Sequence, residues 1–275
     1  MAKTIKADLH NHLRTRTYAK EGDFDKAVDR AYKKLGAGGT LGIVNFADTR
    51  YELYINQRSK YERQDIGNAI YVPEKGVLVV KGQEVQTDRG HLLVLGLEKN
   101  QHLRSSRNVT LEDAISEAKD SNGVLIADHP FYREGIGEYL KQNLRLLESI
   151  DALELNGEAV WIPKLTSKQA NQKLIAFYAD ITKDFPHLGI IANSDGHSFH
   201  EIGKSYTLIK QPDTKNSETL TSTLRVAVKS SSLEDVHLQP STIGAYEHLI
   251  KLIPLIFAAK LHLIKIQNPR GESHT

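Results

Sequence analysis

Short apolar segments alternate with helical segments along most of this 275-residue chain. The segments that we predict as strands cover residues 4–9, 41–47, 77–84, 124–127, 152–155, 189–192 and 206–209. Several are continuous apolar runs, which is typical of strands buried on both faces. Between them we predict helices over residues 24–35, 111–121, 167–184 and 218–229. In a chain of this size, the alternation predicts a parallel α/β barrel.

Local signals set several of the boundaries. Residues 91–97 are predicted to form a strand that pairs with the one before it, because the segment QTDRG supplies a tight turn. Gly36 is a natural end for the first helix, and Thr110 with Asp113 has the spacing of a helix-capping pair. The segment GAGGTLG at residues 36–42 follows a helix and precedes a strand. A dinucleotide-binding loop needs the reverse order, so we predict a turn there.

Tyrosines and arginines alternate in the segment RYELYINQRSKYERQ at residues 50–64. Such a segment can stack on the bases of a single strand and contact its phosphates. Four of these side chains have helical spacing: Tyr51, Tyr54, Arg58 and Tyr61. The spacing favours a helix with one packed and one solvated face.

The composition excludes several classes of protein. Because the chain has no cysteine, neither a disulfide framework nor a cysteine zinc site can form. Its formal net charge of +2 is far from the strongly basic character of a dedicated nucleic-acid binder. The segment MAKTIKADLHNH has no apolar core of signal-peptide length, so we expect a cytoplasmic protein.

The run at residues 249–266 is strongly apolar but contains Lys251, Pro254, Lys260 and Lys265. Each lysine at a membrane centre costs about 2.5–3.5 kcal/mol, so we predict no membrane span. A helix that packs on the barrel or joins the subunits of a homo-oligomer is favoured, with attachment to a membrane surface as the alternative. The expected organisation is a barrel domain over residues 1–240, an apolar helix over 241–266 and a disordered tail over 267–275.

Histidines mark the end of the first predicted strand. Residues i and i+2 of a strand point to the same face, so His10 and His12 can present two imidazoles together, and Asp8 shares their parity. In strand–helix barrels, the carboxyl ends of the strands carry the active site. The sequence therefore predicts a functional site at this end.

Further candidate ligands follow later strands at the same end. They are Glu84, His91, His129, Asp195 and His197. Asp128 has the opposite parity from His129, so we expect it to be a structural or turn residue. Imidazoles and carboxylates suit zinc, manganese or iron, and the number of ligands exceeds the needs of one ion. A carboxylate such as Glu84 can bridge two ions, and an ion pair of this kind activates water to attack a phosphate ester.

The segments DLHNH, GQEVQTDRGH, ADHP and NSDGH occur in this order along residues 4–210. Together they resemble the motifs of the PHP (polymerase and histidinol phosphatase) superfamily. The resemblance implies a distorted TIM-like barrel of seven strand–helix units in one domain, with a di- or trinuclear metal site. It also implies hydrolysis of phosphate esters by a metal-bound hydroxide. The expected substrate is a small phosphorylated metabolite or a short oligonucleotide.

The resemblance also implies roles for individual residues. Metal-binding roles fall on His10, His12, Glu84, His91, His129, Asp195 and His197. Asp195 and His197 are candidates for proton transfer as well. Asp8 is expected to orient a ligating histidine, because such histidines donate their second N–H to a neighbouring acceptor. Asp48 matches the second motif and is expected beside the ligands.

The sequence departs from the family pattern in two places. Thr49 stands where the second motif usually has a histidine, and LRTRTYAKEGD replaces the usual serine and Ser-Asp-Gly segment. Because the third metal position draws on these regions, we expect two ions and a weakened or remodelled third site. Arg14, Arg16 and Arg50 lie near the losses and are candidate phosphate clamps.

Two other functions stay open on the sequence alone. Amidohydrolase-like barrels also begin with His-x-His and hydrolyse C–N or C–O bonds, but they usually carry a bridging lysine at a strand end. Glu84 and the closing Asp-x-His pattern favour the PHP assignment. A metal-binding module without catalytic activity is the other alternative, because Thr49 has replaced a ligand.

Overall fold

The computed structural model describes residues 3–13, 19–46, 48–158, 167–239, 246, 249–250 and 253–260. In these ranges the strands are β1 Thr4–Asp8, β2 Thr40–Asn45, β3 Gln64–Asp65, β4 Ala69–Val72, β5 Val77–Gln86, β6 His91–Leu95, β7 Val124–Ala127, β8 Ala152–Asn156, β9 Gly189–Asn193, β10 Tyr206–Lys210 and β11 Val236–His237. The α-helices are α1 Asp23–Leu35, α2 Arg50–Ile55, α3 Leu111–Asp120, α4 Gly137–Gln142, α5 Ser167–Ile181, α6 Ser217–Lys229 and a C-terminal helix, Ile253–Lys260.

One mixed sheet contains these strands, in the order β11-β10-β1-β2-β5-β6-β7-β8-β9, with β4 pairing β5 and β3 pairing β4. The parallel pairs are β1–β2, β2–β5, β7–β8 and β8–β9. The sheet is not parallel throughout, because β6 runs antiparallel to both of its neighbours and β10 runs antiparallel to β1. The pairing of β6 with β5 confirms the predicted hairpin, whereas the direction of β10 departs from the expected parallel barrel. The tight turn before His91 returns the chain directly beside β5, so no crossover helix can intervene.

A seam joins β9 and the loop after it to β1 and β10, and both side-chain and backbone hydrogen bonds cross it. Asn193 Oδ1 accepts a hydrogen bond from Leu9 N at 2.7 Å, and Thr207 Oγ1 accepts one from Ala192 N at 2.7 Å. An isolated parallel bridge joins Asn11 to Gly196. The sheet thus curls into a nearly closed barrel, which confirms the predicted TIM-like architecture.

Apolar side chains fix the helices on the sheet. One cluster joins α3, α4 and α5 to strands β6 to β9, and another joins α1 and α2 to β2 and β5. The sheet also needs a glycine on β2, because a Cβ at Gly42 would lie 1.9 Å from the carbonyl oxygen of Leu9. This close approach brings the end of β1 against β2.

Most predicted helices are present. Thr110 caps α3 by accepting a hydrogen bond from Asp113 N at 3.1 Å, as the sequence indicated. The helix predicted over residues 50–64 is wrong in length, because α2 ends at Ile55 and the chain then leads into β3. The sequence did not predict α4, β3, β4 or β11.

The described part of the C-terminal run is helical, and Phe257 in it is 63% exposed. Its packing on the barrel or on a second chain stays a prediction. Among the residues described, no helix has both the length and the apolarity needed to span a membrane.

Candidate metal centre

The histidines after β1 lie at the centre of the site. His10 and His12 are buried, and their Nε2 atoms are 3.1 Å apart. Glu84 Oε2 lies 2.8 Å from His12 Nε2 and 3.7 Å from His10 Nε2. Asp195 Oδ1 lies 3.6 Å from each of these nitrogens. Two imidazoles and two carboxylates from three separate strands therefore converge on one small volume.

A second set of ligand atoms adjoins the first through Glu84. Its Oε1 contacts His91 Nδ1, while its Oε2 faces His12. The ligand atoms of Glu84, His91, Asp128 and His129 lie within 4.8 Å of one another. Two further groups, within the same limit, are His10 with His12 and Asp195, and His10 with Asp128 and Glu154. The structure thus brings six of the seven predicted ligands into these groups.

The remaining predicted ligand, His197, lies at the edge of the centre. Its ring centroid is 5.0 Å from that of His12, and its Nδ1 is 3.0 Å from the carbonyl oxygen of Asp195. Among the described residues it belongs to none of the three groups. Glu201 holds its backbone, because Glu201 Oε2 accepts a hydrogen bond from His197 N at 2.9 Å. Ligation by His197 stays a prediction.

Two candidate ligands occupy left-handed backbone conformations directly after their strands. His129 has a φ of 25° and Asp195 a φ of 47°. Non-glycine residues rarely adopt such angles, and the surrounding structure must hold them there. Asn156 contributes to this by donating a hydrogen bond to Asp195 Oδ2 at 3.1 Å. The strained turns direct both side chains into the cluster.

Glu154 was missed by the sequence analysis. It is fully buried on β8, and its oxygens lie 3.1 and 3.2 Å from His10 Nδ1. The same carboxylate accepts hydrogen bonds from Asn193 Nδ2 at 2.7 Å and from His129 N at 3.2 Å. It thus orients His10 so that Nε2 faces the centre. A lone acid inside the apolar strand ALELN was the signal that could have identified it.

Asp128 also belongs to the site, so the expectation of a structural or turn role based on strand parity is wrong. Its Oδ1 lies 3.3 Å from His10 Nδ1, and its Oδ2 lies 3.4 Å from His129 Nε2. The regular strand β7 ends at Ala127, and the left-handed turn at His129 follows. Alternation of side chains between two faces therefore no longer holds beyond Ala127.

Asp8 does not orient a histidine, which corrects the sequence prediction. Its carboxylate accepts hydrogen bonds from Ser194 N at 2.9 Å and from Gly203 N at 2.7 Å. Both donors belong to the loop that carries Asp195. Asp8 therefore holds that loop against the end of β1.

The predicted second-motif residues Asp48 and Arg50 form a buried ion pair. Asp48 Oδ2 is 3.3 Å from Arg50 Nη2, and both side chains are buried. Thr49 occupies the position before the first residue of α2. The role of Arg50 as a phosphate clamp stays a prediction, and Arg14 and Arg16 lie outside the described residues.

Burial and charge together set the protonation of the centre. Burial would raise the pKa of Glu154, but His10 outweighs it and the pKa falls to about 2. Burial would lower the pKa of His10, but Glu154, Asp128 and Asp195 raise it well above its usual value. Burial, Glu84 and Glu154 all raise the pKa of Asp128 well above the usual range. The cluster thus concentrates negative charge, which a bound cation would relieve.

The unsatisfied atoms of the cluster fit a cation. Among the described residues, Asp195 Oδ1, His129 Nδ1 and both carboxylate oxygens of Asp128 are buried and make no hydrogen bond. Buried polar atoms are nearly always satisfied, so a group of them around one volume indicates a missing partner. Imidazole nitrogens and carboxylate oxygens are suitable ligands for zinc, manganese or iron. The donor set therefore fits divalent metal ions.

Comparison with known proteins identifies the fold. No protein-family model and no curated protein matches the chain. PsfC from Pseudomonas syringae superposes with a TM-score of 0.63 at 15% identity, covering 95% of this chain and 100% of that one. A lesion-specific endonuclease from Pyrococcus furiosus has a TM-score of 0.55 at 18% identity, over 84% of this chain and 57% of its own length.

A two-domain protein from Bacteroides vulgatus is described as containing a predicted PHP-like metal-dependent phosphoesterase. It superposes with a TM-score of 0.51 at 16% identity, over 86% of this chain and 66% of its own length. This likeness is one of fold. The chain has the PHP-type barrel fold that its motifs predicted, with a cluster of potential metal ligands at the carboxyl ends of its strands.

Proposed function

We propose that this protein is a metal-dependent hydrolase of phosphate esters. The observation that carries the proposal is the convergence of buried imidazoles and carboxylates in three overlapping groups. The similarity of fold to a PHP-like metal-dependent phosphoesterase and to an endonuclease supports the same assignment. When bound, divalent ions would lower the pKa of water and offset the charge that develops on the phosphate.

Two ions suit the arrangement of ligands. His10, His12 and Asp195 form one group, and the residues around His91 and His129 form another. Glu84 touches both, because its two oxygens contact His91 and His12 separately. A carboxylate in this position can bridge two ions. The group of His10, Asp128 and Glu154 is the candidate for a third, and we assign it an orienting role instead, because Glu154 engages His10 through Nδ1.

We assign different roles to Asp195 and His197. Burial would raise the pKa of Asp195, but His10, His197 and His12 hold it well below its usual value. Asp195 therefore stays ionised and acts as a ligand. The ring of His197 lies 5.0 Å from that of His12, at the edge of the ligand cluster, so we assign it the delivery of a proton to the departing alcohol.

The substrate is a phosphomonoester or a phosphodiester, from a phosphorylated metabolite to a short oligonucleotide. One neighbour of similar fold, Endonuclease Q, is known in complex with a duplex that carries an abasic lesion. The lysine on β5 does not favour an amidohydrolase. Lys81 Nζ instead pairs with Glu52 at 2.6 Å and donates to three carbonyl oxygens.

A substrate panel tests this proposal. The protein, loaded separately with zinc, manganese or iron, is assayed on p-nitrophenyl phosphate, bis-p-nitrophenyl phosphate, an oligothymidylate, an amide and a lactone. We expect hydrolysis of phosphate esters alone, with Glu84→Gln inactive and Glu62→Gln as the exposed control. Hydrolysis of only the amide or lactone would contradict the proposal. Bound metal without any turnover would indicate a non-catalytic metal-binding module.

A further inference from the structure

A cavity of about 310 Å³ lies beside the metal centre. The turn between β5 and β6 forms one wall, and Arg107 and Glu134 form another. His91 belongs both to the cavity wall and to the ligand groups of the centre. A molecule in this cavity would therefore adjoin whatever is bound at the metal centre. The volume is at the lower end of the range for small-molecule sites.

Two guanidinium groups line the cavity. Arg89 Nε lies 3.1 Å from Asp88 Oδ2, and its guanidinium is 4.6 Å above the ring of Tyr139. Arg107 Nη2 lies 2.7 Å from Glu134 Oε1. The Arg89 side chain is 49% exposed and that of Arg107 is 73% exposed. Each arginine thus pairs one edge of its guanidinium group with its own carboxylate. Within the part of the chain that the structure describes, the remaining N–H groups are open to a bound ligand.

The acidic groups of the cavity do not cancel this donor character, because other groups engage them. Asp88 Oδ1 accepts a hydrogen bond from Leu111 N at 3.0 Å, at the start of α3. Glu134 Oε2 lies 2.9 Å from His91 Nε2. These contacts use both carboxylates to fix the arginines and the histidine. The remaining N–H groups suit a tetrahedral oxyanion, which guanidinium forks bind in two-point contacts.

We propose that this Arg89–Arg107 cavity binds a second phosphate group of the substrate while the reacting phosphate lies at the metal centre. The inference rests on the proposed function and narrows its substrate class to compounds with two or more phosphates. Glu134 contacts both His91 of the metal centre and Arg107 of the cavity. The two proposed phosphate positions are therefore neighbours, with the Glu134 carboxylate between them. A nucleoside bisphosphate and an oligonucleotide strand share this chemistry.

Binding measurements test the cavity independently of turnover. Analogues of thymidine monophosphate, thymidine bisphosphate and a phosphorylated dithymidylate, with methylene groups in place of hydrolysable ester oxygens, are titrated calorimetrically into the zinc-loaded protein. We expect Arg89→Ala to weaken binding of the bisphosphate analogue about 10-fold and of the monophosphate analogue less than about 2-fold. Arg104→Ala is the matched control, because Arg104 pairs with Glu117 and does not line the cavity.

Arg107→Ala is expected to act in the same direction, and metal content is measured beside it because Glu134 links Arg107 to His91. Equal weakening of both analogues, or no change in Arg89→Ala, would overturn the inference. Arginine-dependent binding without hydrolysis of any phosphate ester would support the cavity and contradict the proposed function. Hydrolysis of phosphate esters without arginine-dependent binding would support the proposed function and contradict the role of the cavity. A larger Arg89 effect on the dithymidylate than on the bisphosphate identifies a nucleic-acid strand, and the opposite order identifies a small metabolite.

Discussion

Replacing Glu154 by glutamine tests whether this buried acid positions a metal ligand. Both of its oxygens lie within 3.2 Å of His10 Nδ1, which leaves His10 Nε2 free for an ion. Its pKa of about 2 keeps it ionised at every working pH, so it acts only as an acceptor. Glutamine preserves the volume and one carbonyl oxygen. It loses the charge and presents an NH₂ group to the donors Asn193 and His129.

The expected loss of zinc affinity follows from the loss of one charge-assisted hydrogen bond between Glu154 and His10. Such a hydrogen bond contributes about 1.5–3 kcal/mol, which corresponds to roughly 10- to 150-fold in a binding constant. Loss of an acceptor behind a ligating histidine typically lowers metal affinity about 10- to 100-fold, in agreement with this range. We therefore expect the Kd for zinc to rise at least about 10-fold in Glu154→Gln.

A competition titration against a chromophoric chelator measures this Kd. The matched control is Asp151→Asn, which removes another buried carboxylate just before β8. Asp151 Oδ2 accepts a hydrogen bond from Leu125 N at 2.9 Å, at the opposite end of the barrel from the metal centre. We expect this control to lower the free energy of unfolding while leaving the Kd within about 2-fold of wild type. A Glu154→Gln protein with wild-type affinity would refute the positioning role.

Four further predictions concern stability. Burial raises the pKa of Asp8 from 3.8 to about 6, so its ionisation costs the folded state stability as the pH rises through this window. In urea unfolding, the free energy of unfolding of Asp8→Asn should therefore rise by about 3 kcal/mol relative to wild type as the pH increases from about 3.5 to 7. A difference that does not change with pH would contradict this. Lys81→Met should lower the free energy of unfolding by about 3–5 kcal/mol because it leaves Glu52 buried without its cation, and the added Glu52→Gln should recover part of that loss in the same assay. Gly42→Ala should lower the unfolding midpoint more than any surface substitution, since its Cβ would overlap Leu9 O; an unchanged midpoint would exclude the close approach. In thermal unfolding, zinc at about 1,000 times its Kd should add roughly 4 kcal/mol of stability to wild type and little to His10→Ala, and equal gains would place the ions elsewhere.

Much of the barrel is predictable because its strands are continuous apolar runs and its helices carry clear end signals. The prediction for β7 matches the observed strand, and the antiparallel pairing of β6 with β5 follows from the turn between them. The direction of β10 and the insertion of β6 between β5 and β7 depend on pairings between distant segments. No local pattern encodes those pairings, so a parallel barrel was the default expectation.

The site was predictable where ligands lie within or directly after regular strands. Six predicted ligands meet in the structure because strand ends converge at one edge of the barrel. The alternation of strand side chains between two faces gave the wrong expectation for Asp128, because the backbone has left the strand conformation there. It also failed to identify the partner of Asp8, because the loop of residues 194–203 reaches that carboxylate only through tertiary packing. Glu154 was detectable in principle as an isolated charge within an apolar strand.

Anomalous scattering at the zinc edge, from crystals of the zinc-loaded protein, tests the central claim most directly. The ligand groups predict one ion among His10, His12 and Asp195, and another among Glu84, His91, Asp128 and His129. Each peak should lie about 2.0–2.3 Å from its ligand atoms, and Glu84 should contact both. Zinc bound only to surface residues, with no anomalous peak inside this cluster, would contradict the assignment of a metal centre.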